Sequence, residues 1–174
     1  MADPPLRLED VARLVDASRA TLYYFSGRDD LLGFLLTAHT RAGSAAMRAA
    51  VRDREPAEQC LAAMVGALVE FLGVHPGTCA GLLSALGATG RMTEVLRESD
   101  TWIAGPLREV LAEGVDGGSV AVIDPADAAN AVVGAVLLGV LGRSMAAGDP
   151  TDPAFREALI GQVLRGVLAG VPAR

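Results

Sequence analysis

A chain of 174 residues is long enough to bury a real core, as one domain or as a body with a small head. Half of it is hydrophobic (51%) and only 4% aromatic, so Leu, Val and Ala must build the interior, a mix that favours helices. The net charge of −6 excludes a generally basic nucleic-acid binder; residues 1–53 are balanced and residues 54–174 carry the whole acidic excess, so phosphate contacts would fall to the first part.

Asp3-Pro4-Pro5 forms an extended lead, because proline fixes φ and pushes the preceding residue out of the helical region. A first helix is predicted over Leu6 to Val15, with Leu8, Val11, Ala12, Leu14 and Val15 apolar at helical spacing. Asp16-Ala17-Ser18 turns the chain, and Ser18 caps a second short helix from Arg19 to Phe25. A long helix starts near Gly27, with Ser26 as cap and Asp29 and Asp30 in its first turn. It continues to about Asp53, on a stripe of Leu31, Leu32, Leu35, Leu36, Ala38, Ala42, Ala45, Ala46 and Ala49.

Pro56 suits the first position of the next helix, which ends near His75-Pro76-Gly77. A shorter helix is predicted over Thr78 to Ala88, then another from Met92 to about Glu113 that Pro106 must kink or split. Gly117-Gly118 marks a loop. Asp124 caps a helix that Pro125 opens and that runs to about Ala147, apolar almost all round. Gly148-Asp149-Pro150 ends it, and Pro153 starts the last helix. The layout is all-α, with no internal repeat.

Two helices joined by a tight turn are a helix-turn-helix candidate, whose second helix can enter a major groove. At these residues the chain resembles the tetracycline-repressor (TetR) family of regulators. The resemblance rests on Leu8-Glu9-Asp10-Val11-Ala12, the turn Asp16-Ala17-Ser18, then Thr21-Leu22-Tyr23-Tyr24-Phe25, Arg28 and Leu31-Leu32. It covers roughly residues 7 to 36, and a looser match in helix layout extends to the C-terminus. Family members carry a further helix before the motif; here only Met1 to Leu6 precede it, so the head is expected to be truncated. Arg7 stands where a Thr or Ser cap is usual, Asp16 replaces the turn glycine, and the aromatic run is one residue shorter.

The resemblance implies a DNA-binding head over residues 1–40 and a ligand-binding and dimerisation body over 41–174. In the head, Ser18, Arg19, Ala20, Thr21, Tyr23, Tyr24 and Arg28 are the expected DNA contacts, with Arg19 suited to a guanine and Arg28 to a phosphate. In the body it implies a small-molecule pocket, for which Met64, Leu68, Phe71, Leu82, Leu86, Trp102 and Leu137 are candidates; ordinary core packing is the competing reading of each. So few polar anchors point to an apolar effector.

The last two helices are too apolar for a monomer's surface, so a homodimer is expected through a four-helix bundle. Ala131, Ala135 and Gly139 give one flat face, and Phe155, Leu159 and Val163 line the other helix. Packing inside one subunit is the alternative use of these residues.

Catalysis finds no support. His39 and His75 are the only histidines, and Pro76-Gly77 separates His75 from Cys79, so no metal set forms. No nucleophile elbow, phosphate loop or dinucleotide fingerprint is present, and no cofactor is expected. Two cysteines and no secretory signal pattern point to the cytoplasm, and the longest apolar run, Ala131 to Gly142, is too short to span a bilayer. The expected function is a ligand-responsive transcriptional regulator, a repressor released from operator DNA; the alternative is a dimeric small-molecule-binding protein of the same fold that no longer binds DNA.

Overall fold

The computed structural model describes residues 28–52, 55–75, 77–79, 92–121 and 124–168. The two short predicted helices, the turn between them and the start that was expected to be truncated lie outside these residues, as does most of the helix predicted over Thr78 to Ala88. Every extended element among the described residues is a helix.

Helix α1 spans Arg28–Ala50. Its buried stripe is Leu36, Thr40, Gly43, Ser44 and Met47. The predicted stripe assigned this role to alanines, yet Ala38, Ala42, Ala45 and Ala49 are exposed. The Thr40 hydroxyl satisfies itself within the helix by donating to the Leu36 carbonyl at 2.8 Å, whereas the buried Ser44 hydroxyl has no hydrogen-bond partner among the described residues.

Helix α2, Ala57–Val74, is the central rod, packed against α1 and three later helices. Pro56 sits one residue before it, and its carbonyl takes the Gln59 and Cys60 N–H groups at 2.9 and 3.0 Å. Both flanks of α2 are buried, through Leu61, Val65 and Val69 and through Met64, Leu68 and Leu72.

Pro106 does not split the next helix. Helix α3, Met92–Ser99, runs through a π turn at Asp100–Ala104 into α4, Gly105–Asp116. Proline has no N–H to give the carbonyl four residues back. The wider turn absorbs the mismatch, with the Gly105 N–H reaching the Asp100 carbonyl. At the other end of α4 the chain folds back on itself: the Ser119 and Val120 N–H groups donate to the Gly114 carbonyl at 2.9 and 3.0 Å. Val120 then presses on Gly114, where a Cβ would also meet Ala57 at 3.1 Å.

Helix α5 spans Pro125–Met145, with Asp124 as cap: its Oδ1 accepts the Ala126 and Asp127 N–H groups at 2.7 and 3.3 Å. Helix α6 spans Pro153–Leu168. Arg143 ties the connection between them, reaching Asp152 at 3.2 Å and lying over the Phe155 ring at 5.3 Å. A single core joins Met47, α2, Leu107 and Leu111 of α4, the Ala129–Val132–Val136–Val140 face of α5, and Leu159, Val163 and Val167 of α6. Burying such aliphatic side chains contributes on the order of 1.5–3 kcal/mol each.

By length and composition α2 and α5 are each long and apolar enough to cross a membrane. Counting an uninterrupted apolar run missed this, because Asn130 and Arg143 end the run while the helix continues past them.

Candidate functional site

Where α1, α2, α3, the π turn and α5 approach without filling the space between them, a cavity of about 470 Å³ remains. That lies within the roughly 300–1,000 Å³ usual for small-molecule sites. Helix α1 contributes His39, Thr40 and Gly43, and α2 contributes Leu68, Phe71 and Leu72. Val95, Leu96 and Ser99 of α3 lead into Asp100 and Ile103 of the π turn. From α5 come Asn130, Val133, Gly134 and Leu137, and Thr78 closes one side.

Two glycines leave room for this space, in different ways. At Gly43 a Cβ would lie 3.3 Å from the Phe71 ring, so the missing side chain lets Phe71 lie against α1. At Gly134 a Cβ would meet nothing within 4 Å, so the missing side chain is itself part of the void.

Phe71 belongs to an aromatic group with both histidines. Its ring centroid is 4.6 Å from that of His75, and His75 meets His39 edge-on at 5.5 Å. Each imidazole is held by its own helix: His39 Nδ1 lies 2.9 Å from the Leu35 carbonyl and His75 Nδ1 lies 2.8 Å from the Phe71 carbonyl. A carbonyl only accepts, so both Nδ1 atoms carry the proton. At the rim, Asp100 Oδ1 accepts from Arg108 Nη1 at 3.0 Å.

Of the residues read from the sequence as ligand candidates, Leu68, Phe71 and Leu137 line this cavity. Met64 does not; it is packed into the core at 2% exposure. Trp102 does not either; its ring lies under the Arg41 guanidinium, 5.1 Å from it. Leu82 and Leu86 lie outside the described residues. The sequence reading missed His39, Gly43, Asp100, Asn130 and Gly134. Asn130, Val133, Gly134 and Leu137 follow a helical row on α5, so that face was open to detection once Leu137 was chosen.

The expected DNA contacts Ser18, Arg19, Ala20, Thr21, Tyr23 and Tyr24 lie outside the described residues; Arg28 is the first residue of α1. The residues expected at a dimer interface divide. Gly139 faces Leu159 within the chain, where a Cβ would fall 2.8 Å from Leu159 Cδ1. Leu159 and Val163 are buried in this chain's own core, and Phe155 is half-buried beside Arg143. Ala131 and Ala135 point outward, in a seam that continues through Leu138, Gly142 and Met145 at alternating steps of four and three. Leu138 is 58% and Met145 78% exposed.

Among the described residues no group of three or more metal-ligating side chains occurs. The two thiols are buried, and burial pushes Cys79 up to about 11.

No family model and no curated protein matches the sequence. Solved structures do match. The fatty acid degradation regulator FadR of Bacillus halodurans superposes with a TM-score of 0.77 at 18% identity, over 93% of this chain and 89% of that one. FadR of Bacillus subtilis in complex with stearoyl-CoA gives 0.73 at 17% identity, over 92% and 88%. The TetR-family regulator PfmR of Thermus thermophilus gives 0.69 at 20% identity, over 92% and 85%. This chain has the TetR-regulator fold. The all-α layout expected from the sequence is that fold, and the cavity lies in its helical body.

Proposed function

We propose that the chain is a ligand-responsive transcriptional regulator that represses by occupying operator DNA and leaves it when a small apolar molecule enters the cavity. The observation that carries this reading is the position of the cavity along α1. His39, Thr40 and Gly43 form its wall, while the same helix begins at Arg28, the basic residue of the TetR-like motif. Eleven helical steps separate Arg28 from His39, about 16 Å at 1.5 Å per residue. A ligand that shifts α1 against Phe71 therefore moves the end attached to the head, residues 1–40.

Repression of this kind needs two heads spaced to meet successive major grooves. The outward seam of α5, from Ala131 through Ala135 and Leu138 to Met145, supports a homodimer. Its small residues let two helices approach closely, and its large apolar ones would otherwise face water. Ligand binding then acts by population shift, favouring a head separation that no longer fits the operator. The site of action is the cytoplasm, where the DNA is. FadR of Bacillus subtilis has been solved with stearoyl-CoA, a precedent in this fold for an effector with a long apolar chain.

The balanced charge of residues 1–53 favours a second reading, a dimeric small-molecule-binding protein that has lost DNA binding. A gel shift against the intergenic DNA beside the coding sequence separates the two. A shifted band that cavity ligands abolish supports the regulator. No shift at micromolar protein and low salt overturns it in favour of the binding protein.

A further inference from the structure

We infer that the cavity selects an uncharged lipophilic molecule bearing a hydroxyl, which donates its hydrogen bond to Nε2 of His39. This rests on reading the cavity as the effector site, and it narrows the ligand from its shape to its chemistry. The Nδ1 proton of His39 is committed to the Leu35 carbonyl at 2.9 Å. In the neutral ring Nε2 is then an acceptor with no proton to offer. Among the described residues no donor meets it. The neighbouring His75 is tied in the same way to the Phe71 carbonyl, so it offers His39 no N–H through its Nδ1.

The rest of the polar lining is mixed, since Thr78, Ser99 and Asn130 carry donors as well as acceptors, but it holds little charge. Thr40 spends its proton on Leu36. Asp100 offers carboxylate oxygen, and its charge is already met by Arg108 at the rim. Among the described residues no arginine lines the cavity, and the chain has no lysine. Among the described lining residues an anionic head would find no arginine to replace its hydration, which is unfavourable. A cation would find the one carboxylate already paired. An uncharged donor meets neither penalty and supplies what Nε2 lacks. Among the described lining residues no arginine stands ready for the phosphates of an acyl-CoA.

Calorimetry on the full chain with four probes tests the assignment: 4-phenylphenol, its methyl ether 4-methoxybiphenyl, biphenyl-4-carboxylate, and stearoyl-CoA. The expected order is phenol about tenfold tighter than ether, the size of one net hydrogen bond, with the carboxylate weaker than both. His39→Phe should bring the phenol down to the ether and leave the ether unchanged, whereas His39→Gln, which retains an acceptor, should restore part of the difference. Matching melting curves for the two variants would show that both remain folded. The inference is overturned if the carboxylate or stearoyl-CoA binds more tightly than the phenol, if the phenol-to-ether ratio survives His39→Phe, or if none of the four binds. Operator binding by the same preparation is a separate readout. Release of DNA by stearoyl-CoA would leave the regulator standing and remove this ligand class; phenol binding without any DNA shift would do the reverse.

Discussion

The same helices build a solid region and a hollow one. Around Leu61, Val65, Leu107, Leu111 and Val120, α2, α4 and α5 meet in a filled core. Further along, α2 turns Leu68, Phe71 and Leu72 toward a cavity, and the π turn does the same with Ile103. Composition separates the two in part, since polar side chains such as Thr40, Ser99, Asp100 and Asn130 stand on the cavity wall and none stands among those core residues. The use of glycine differs as well. Gly114 in the solid part removes a Cβ so that Val120 and Ala57 can close in, whereas Gly134 in the hollow part removes one that nothing replaces.

That contrast predicts opposite responses to similar substitutions. The largest effect should come from Leu107→Ala, at a fully buried position, which should cost about 2–5 kcal/mol in denaturant unfolding. Leu137→Ala, on the half-buried cavity wall, should cost well under half as much while changing ligand affinity. Equal losses would mean that the cavity is not a real void.

Next in size is one substitution made twice. Gly114→Ala should destabilise by about 1–3 kcal/mol, because the new methyl group overlaps Val120. Gly134→Ala should stabilise by up to about 1 kcal/mol, since it gains helix propensity and meets no neighbour. Melting temperatures moving in the same direction would break the comparison. Gly43→Ala belongs between them: its Cβ forces the Phe71 ring away from α1, and a ligand that fills the cavity should bind about tenfold more weakly.

The smallest expected effect marks the boundary between the regions. Thr78 lines the cavity while Cys79, the next residue, is fully buried. Burial raises the folded thiol to about 11, so the unfolded chain ionises first. The stability that Cys79 contributes is complete below the unfolded thiol's value and is lost as pH rises toward 11. Cys79→Ser should lose much of that alkaline slope. A disulfide reagent at about pH 8 should label Cys79 only as the protein opens, and rapid labelling of the native chain would show that water reaches behind Thr78.

Much of this fold was legible because its signals are local. Asp124-Pro125 announced the start of α5, and Pro56 and His75-Pro76-Gly77 bracketed α2. The apolar rows of α2 and α6 named most of their buried residues, whereas on α5 the row singled out, Ala131, Ala135 and Gly139, is not the buried one, which is Ala129, Val132, Val136 and Val140. The inward face of α1 was misread because alanine is apolar but small, while Thr40 and Ser44 tolerate burial where helices come close. The cavity was half legible. Leu68, Phe71 and Leu137 were reached through the family resemblance, but a cavity is a place where helices fail to touch, and no single helix encodes that. His39 matters through its bond to Leu35, and Gly134 through what is missing around it. Asp100 and Ile103 stand on the wall where Trp102 was expected, continuing the row of Val95, Leu96 and Ser99. Pro106 signalled a disturbance there without saying that the helix would widen rather than break.

That widened turn makes the ligand wall a matter of counting as well as of residue type. A π turn holds one more residue than the α-helical turn it replaces. Deleting a single codon between Asp100 and Ala104 would close that turn to regular α winding and leave α3 and α4 close to their present rotational phase. Val95 and Leu96 would stay on the cavity wall and Leu107 and Leu111 in the core, while the stretch that carries Asp100 and Ile103 to the ligand lost one residue. A lineage carrying this fold could reset that one stretch of its binding surface in a single genetic step, with the helices on either side of it keeping their faces.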